Sequence, residues 1–131
     1  MMNKIVWING CFDVLHYGHF KLIQYATAFG GKLVIGIDSD ERVKQLKGED
    51  RPFHTQEQRE YNLRQIRGVG DVIVFHTEDE LRETLKRLTP DVFVIGSDYV
   101  DKLIVGGEHA KEIKFFDRVE NLSTSNIMKH G

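Results

Sequence analysis

Two histidines three residues apart, His16 and His19, close the stretch NGCFDVLHYGH that runs from Asn9 to His19, with Gly18 between them. Imidazoles at that spacing share one face of a helical turn. Gly18 has no side chain, so a ligand can approach the backbone there. The first N–H groups of a helix lack internal partners, and the helix dipole favours negative charge at that end. Two imidazoles would add hydrogen-bond donors, and positive charge if protonated. Such a turn suits a polyphosphate. A bare pair of histidines would equally serve as surface residues or as metal ligands; Gly10, Phe12, Asp13, His16, Gly18 and His19 occurring together make the pattern far more specific.

The elements around this stretch must hold it at the end of a strand. Ile5-Val6-Trp7-Ile8 is an apolar run of buried-strand character, and Leu22, Ile23, Tyr25, Ala26 and Phe29 share a helical face from about His16 onward. Gly30-Gly31 stops that helix. Leu33 to Ile37 reads as a second strand, followed at Asp38 by a short helix over Ser39 to Lys47, capped by Ser39 or Asp40. Gly48 opens a polar loop through Arg51-Pro52 to His54. Thr55 and Gln58 then form a capping box for a helix carrying Tyr61, Leu63 and Ile66 and stopping at Gly68.

Val72 to Phe75 is the third strand. Thr77 caps a helix with Leu81, Leu85 and Leu88 on its apolar stripe, and Pro90 lies beyond its end. Val92 to Ile95 is a fourth strand with a turn at Gly96-Ser97-Asp98-Tyr99. A brief helical turn is expected over Ala110 to Glu112, a fifth strand over Ile113 to Phe116, and a last helix from Ser123 to about Lys129. Apolar strands alternating with helices predict an α/β fold: a Rossmann-like parallel five-stranded sheet with helices on both faces. Ligands of such a sheet bind beyond the carboxyl ends of its strands. Asn9–His19, Asp38–Lys47, Gly96–Tyr99 and Arg118–Ser125 all fall on that rim. Neither GxGxxG nor GxxxxGK occurs.

The 131 residues fit one domain, 1–131, able to bury a core. A formal net charge of −2 gives no general attraction to nucleic acid. The lone Cys11 excludes an internal disulfide framework. No apolar run approaches the roughly 20 residues of a membrane span, and the chain enters a strand almost at once, without a signal-peptide pattern. A soluble, cytoplasmic protein is the expectation. Cys11 has no base partner in sequence and reads as a turn residue rather than a thiol nucleophile. His54, His76, His109 and His130 lack ligand-like spacing, and no protein metal site is expected.

GCFDVLHYGH resembles the HxGH signature of the cytidylyltransferase-like family of nucleotidyltransferases. The resemblance implies transfer of a nucleoside monophosphate from a triphosphate to a phosphorylated acceptor, with release of pyrophosphate. A phosphate monoester is already anionic at neutral pH, so positioning and cationic donors should matter more than a covalent nucleophile. On this resemblance Gly10, Cys11, Phe12, His16, Gly18 and His19 contact the nucleotide. Lys47 reaches the acceptor or the α-phosphate, with Lys44 a weaker candidate, and Asp13, Asp38 and Asp98 lie on the substrate side. Asp13 has the alternative role of orienting the motif. Arg118 with Leu122-Ser123-Thr124-Ser125 resembles the family's second signature, an Arg and a Ser-Thr-Thr type sequence opening the last helix. Ser125 stands where Thr is more usual. Arg67 matches a family arginine. Catalysis is thereby assigned to His16, His19, Lys47 and Arg118, with Mg²⁺ accompanying the triphosphate and a homodimer expected.

Ser39 to Gly48 with Arg51-Pro52, Gly96-Ser97-Asp98-Tyr99 and Phe116-Asp117-Arg118-Val119 resemble the adenylyltransferase domain of bacterial ADP-heptose synthesis. That implies AMP transfer from ATP to a sugar phosphate such as D-glycero-D-manno-heptose 1-phosphate. The domain is often fused to a sugar kinase, and these residues contain none. The chain is also similar to glycerol-3-phosphate cytidylyltransferases, which would make CTP and a polyol phosphate the substrates. A nucleotide-binding module without catalysis is the alternative of another class. Nothing in the residues alone distinguishes adenine from cytosine.

Overall fold

Five strands form one parallel sheet in a computed structural model that describes residues 3–117. They are β1 (Ile5–Gly10), β2 (Lys32–Asp38), β3 (Val69–Phe75), β4 (Val92–Gly96) and β5 (Glu112–Phe116), arranged in space as β3-β2-β1-β4-β5. The chain builds outward from β1 on one side, then crosses back and continues on the other. The strand order therefore switches between β1 and β4, the place where a doubly wound sheet opens a crevice. Among the described residues four helices connect the strands: α1 (Tyr17–Thr27), α2 (Asp40–Lys47), α3 (Gln56–Arg64) and α4 (Glu78–Leu88).

Alternation along the strands splits the core into two layers. Val6 and Ile8 of β1, Leu33, Ile35 and Ile37 of β2, and Val92 and Val94 of β4 pack with Ile23 and Ala26 of α1 and Leu63 of α3. Trp7, Val34 and Phe93 project to the opposite face, under Leu81 and Leu85 of α4. Both faces are thus covered, as the continuous apolar strands require. Among the described residues no helix is long and apolar enough to cross a membrane.

Local chemistry sets the helix ends. Ser39 accepts a hydrogen bond from Arg42 N at the start of α2, Thr55 and Gln58 form a reciprocal capping box on α3, and Thr77 accepts from Glu80 N at α4. Three expectations need correction. Helix α3 ends at Arg64, so it carries Tyr61 and Leu63 but Ile66 lies beyond it. Strand β3 starts at Val69, three residues before its apolar run, because it pairs with Leu33 through a register shift. The helical turn expected over Ala110 to Glu112 is instead a 3-10 turn at Gly107–His109, since Gly106 adopts a φ of 79° and redirects the chain. The expected helix from Ser123 lies outside the described residues.

One close approach anchors the centre of the sheet. A Cβ at Gly36 would sit 2.4 Å from Cζ2 of Trp7, whose side chain is wholly buried. Gly36→Ala is therefore an overpacking change in a rigid place, expected to cost about 1–3 kcal/mol. Urea unfolding checks this, and an unchanged midpoint would show that the indole has room to move.

Candidate active site

The loop after β1 is held in a conformation that its sequence alone does not announce. Phe12 has a φ of 51°, left-handed backbone that a bulky residue adopts only under constraint. Its buried ring packs 5.3 Å from the imidazole of His19, centroid to centroid. A Cβ at Gly10 would lie 3.3 Å from that same ring, so Gly10 leaves the space into which Phe12 folds.

The two histidines start α1. His16 is the N-cap, and its Nδ1 accepts from Gly18 N at 3.0 Å. His19 occupies the third helical position, and its Nδ1 accepts from His16 N at 3.2 Å. Together they form a capping box in which both side chains are imidazoles, where a hydroxyl and a carboxamide are usual. An accepting Nδ1 carries no proton, so each ring, when neutral, bears its hydrogen on Nε2. The rings lie 4.0 Å apart. Burial, then the neighbouring His16 and the charge of Lys47, push the pKa of His19 down to about 4. His19 is thus a neutral donor near pH 7, and the positive charge allowed for it in the sequence does not arise.

These residues line an open cleft of about 650 Å³ at the β1–β4 switch. Gly10, Cys11, Phe12, His16, Gly18 and His19 come from the loop and α1, Asp38 and Lys47 from the β2–α2 side, and Asp98 from the turn after β4. Burial raises the pKa of the Cys11 thiol, which suits a turn residue and not a nucleophile. Asp38 is paired with Arg42 at 2.8 Å.

Three residues read on the substrate side lie off the cleft lining. Asp13 is 1% exposed and turned away from the cleft. Its two carboxylate oxygens accept from Phe53 N at 2.7 Å and His54 N at 2.9 Å, so it docks the loop before α3 onto the motif. Lys44 is exposed and off the cleft, because burial of Val43 fixes the rotation of α2. Lys47, one helical turn from Val43, takes the cleft position. Arg67 is exposed just before the amino end of β3, at the edge of the sheet opposite the cleft. Arg118, Leu122, Ser123, Thr124 and Ser125 lie outside the described residues.

The cleft also contains residues that the sequence reading passed over. Arg42 lines it, tied to Asp38 and stacked 5.6 Å from the Phe75 ring centroid. Its signal was present: an Asp and an Arg four apart across a helix start. Asn9 lines it too, with Oδ1 accepting from the Trp7 indole at 2.8 Å. Among the described residues no group of three or more His, Cys, Asp or Glu could hold a metal. Asp38 and Asp98 are the carboxylates that line the cleft, a donor set that would suit a divalent ion carried on substrate phosphates.

The depressed pKa of His19 links protonation to stability. The unfolded chain, with an ordinary histidine near 6.5, binds the proton before the folded chain, which waits until about 4. The stabilisation is complete above the upper value and drains away as pH falls toward the lower one. Gln at this helical position retains an acceptor for the cap, so His19→Gln isolates the titration. Between pH 6.5 and 4, wild-type urea midpoints are expected to fall more steeply than those of His19→Gln. Parallel curves would refute the assignment.

Comparison with known proteins gives concordant results. The sequence model of the family described as cytidylyltransferase-like matches residues 7–128. The bifunctional protein HldE of a Nitratiruptor species is 44% identical over 126 residues, 96% of this chain and 27% of that protein. The protein of the same name from Campylobacter fetus subsp. fetus is 43% identical over 124 residues, 95% of this chain and again 27% of the relative. The chain thus spans about a quarter of the length of the curated relatives it matches. A crystal structure of the lipopolysaccharide core biosynthesis protein from Thermoplasma volcanium superposes with a TM-score of 0.67 at 20% identity. It covers 86% of this chain and 96% of its own, and shares the fold.

Proposed function

From the premise that this chain belongs to the cytidylyltransferase-like family, and is a nucleotidyltransferase domain, we propose that it transfers AMP from ATP to a sugar 1-phosphate of the D-glycero-D-manno-heptose type. The observation that carries a transfer reaction is the histidine capping box at the switch point, beside Lys47 in one cleft. The choice of ATP and a heptose phosphate rests on the resemblance of residues 39–52 to the adenylyltransferase domain of ADP-heptose synthesis. Relatives named as bifunctional proteins that match over nearly the whole chain support it.

The reaction needs no proton removed from its nucleophile. An acceptor phosphate oxygen attacks the α-phosphorus, the bond from that phosphorus to the bridging oxygen breaks, and pyrophosphate departs with its electrons. The protein supplies alignment and charge. The Nε2–H groups of His16 and His19 donate to the phosphate oxygens. Lys47 supplies the mobile cation, while Arg42 is already half-neutralised by Asp38. Mg²⁺, held on the triphosphate, would offset charge on the departing pyrophosphate. Cys11, a half-buried thiol whose pKa is raised, takes no covalent part.

Pyrophosphate release with Mg²⁺ across ATP and CTP, each with heptose 1-phosphate or glycerol 3-phosphate, tests the reading. Release with ATP and the heptose phosphate is expected. Release with CTP and glycerol phosphate would replace it with the polyol reading. Tight triphosphate binding with no release on any acceptor would favour a binding module. With the reactive pair in hand, His19→Gln withdraws the imidazole Nε2–H but leaves the cap, so kcat should fall about 100-fold or more. Full turnover in a folded His19→Gln protein would remove His19 from the chemistry.

A further inference from the structure

Arg59 lies outside the cleft, and its side chain is 0% exposed. Its hydrogen bonds run inward. Nε donates to the His54 carbonyl at 3.1 Å, and Nη1 donates to the Cys11 carbonyl at 2.9 Å and to the Asp38 carbonyl at 2.7 Å. Nη2 donates to the Asp40 carboxylate at 2.9 Å. These acceptors belong to three separate segments. Cys11 is in the loop after β1, Asp38 and Asp40 bracket the start of α2, and His54 leads into α3.

A buried cation is costly unless its hydrogens are used, and here only one of the four acceptors carries charge. The other three are peptide carbonyls. A planar guanidinium that bonds three carbonyls fixes the planes of three peptides relative to one another. In a trans peptide the N–H lies opposite the C=O. Holding the Cys11 carbonyl inward therefore turns the Phe12 N–H away from Arg59. The loop that contains His54 is pinned a second time, since Asp13 binds the N–H groups of Phe53 and His54.

The geometry points to Arg59 as the positioning residue of the transfer reaction: it locks the phosphate-binding loop and the start of α2 into one frame, so that His19 and Lys47 address the same phosphates. This inference rests on the transfer reading above. It distinguishes Arg59 from an ordinary stability residue, because its bonds connect the two halves of the cleft rather than the sheet to a helix.

The test compares Arg59→Lys with Leu85→Ala. A lysine keeps a cation near Asp40 but has no planar fork to span the carbonyls. Leu85 is wholly buried on α4, under the other face of the sheet, and lines no part of the cleft. Both variants are measured at a temperature where circular dichroism shows them folded. Misplacing the reacting groups should lower kcat of Arg59→Lys about 100-fold while KM for the triphosphate stays within about threefold. Leu85→Ala should melt earlier at unchanged kcat. A second reading does not depend on turnover: the His19 imidazole, followed by NMR, should titrate above its wild-type value of about 4 in Arg59→Lys, as the Lys47 charge moves off. The control should leave that midpoint alone. Should Arg59→Lys fail to fold, Asp40→Ala removes the Nη2 bond and leaves the three carbonyl bonds, and the same readouts apply. A folded variant that melts earlier yet keeps both kcat and the His19 midpoint would overturn the inference. If the wild type releases pyrophosphate with no acceptor, the transfer reading fails by itself. The His19 midpoint then decides whether Arg59 sets the frame.

Discussion

Two backbone N–H groups received by two imidazole Nδ1 atoms set the geometry of the loop–helix junction at the cleft. The bonds from Gly18 N to His16 and from His16 N to His19 start α1 and satisfy donors that a helix end leaves open. They also fix both side chains, since a ring whose Nδ1 is engaged has one remaining polar atom to offer. Structure and chemistry are therefore served by different atoms of the same residue. That division explains why the site needs histidine in both places. A serine or threonine cap would start the helix as well, but would hold no second donor at imidazole reach.

A capping box of this kind requires that the loop before it stay put, and the loop is unfavourable by itself, with Phe12 in left-handed backbone. The compensation comes from polar groups buried beneath it. The Asp13 carboxylate accepts two main-chain N–H groups and Arg59 donates to three main-chain carbonyls. In an interior of low dielectric such bonds are directional and costly to break. Opposite charges are thus used to hold peptides, while Lys47 lines the cleft above them.

The parallel sheet was legible because its strands are apolar on both sides, and the cleft because the histidine loop follows the first of them. Helix caps were legible at Ser39, Thr55 and Thr77, where hydroxyls precede the helices at the right distance. Side-chain direction was legible only where an apolar neighbour sets it. Val43 would have turned Lys47 inward and Lys44 outward had its burial been weighed. Arg59 stands four residues before the buried Leu63 and so shares its face, but QEQREYNLR is too polar for that face to stand out. Asp13 was read as a substrate residue or as one orienting the motif, and its partners, N–H groups about forty residues away in the chain, could not be picked out. Long-range pairing of this sort leaves no periodic trace.

The sheet also gives the molecule an optical property. Trp7 is the single tryptophan of the chain; it is wholly buried, its ring lies over Gly36, and its indole N–H is bonded to Asn9 at the cleft wall. Every photon of indole fluorescence therefore originates one hydrogen bond from the cleft wall. A guest that draws the Asn9 amide toward itself alters the polarity and hydrogen bonding of the excited indole directly. The protein carries an intrinsic, unlabelled gauge of its own occupancy, at the point where the strand order reverses.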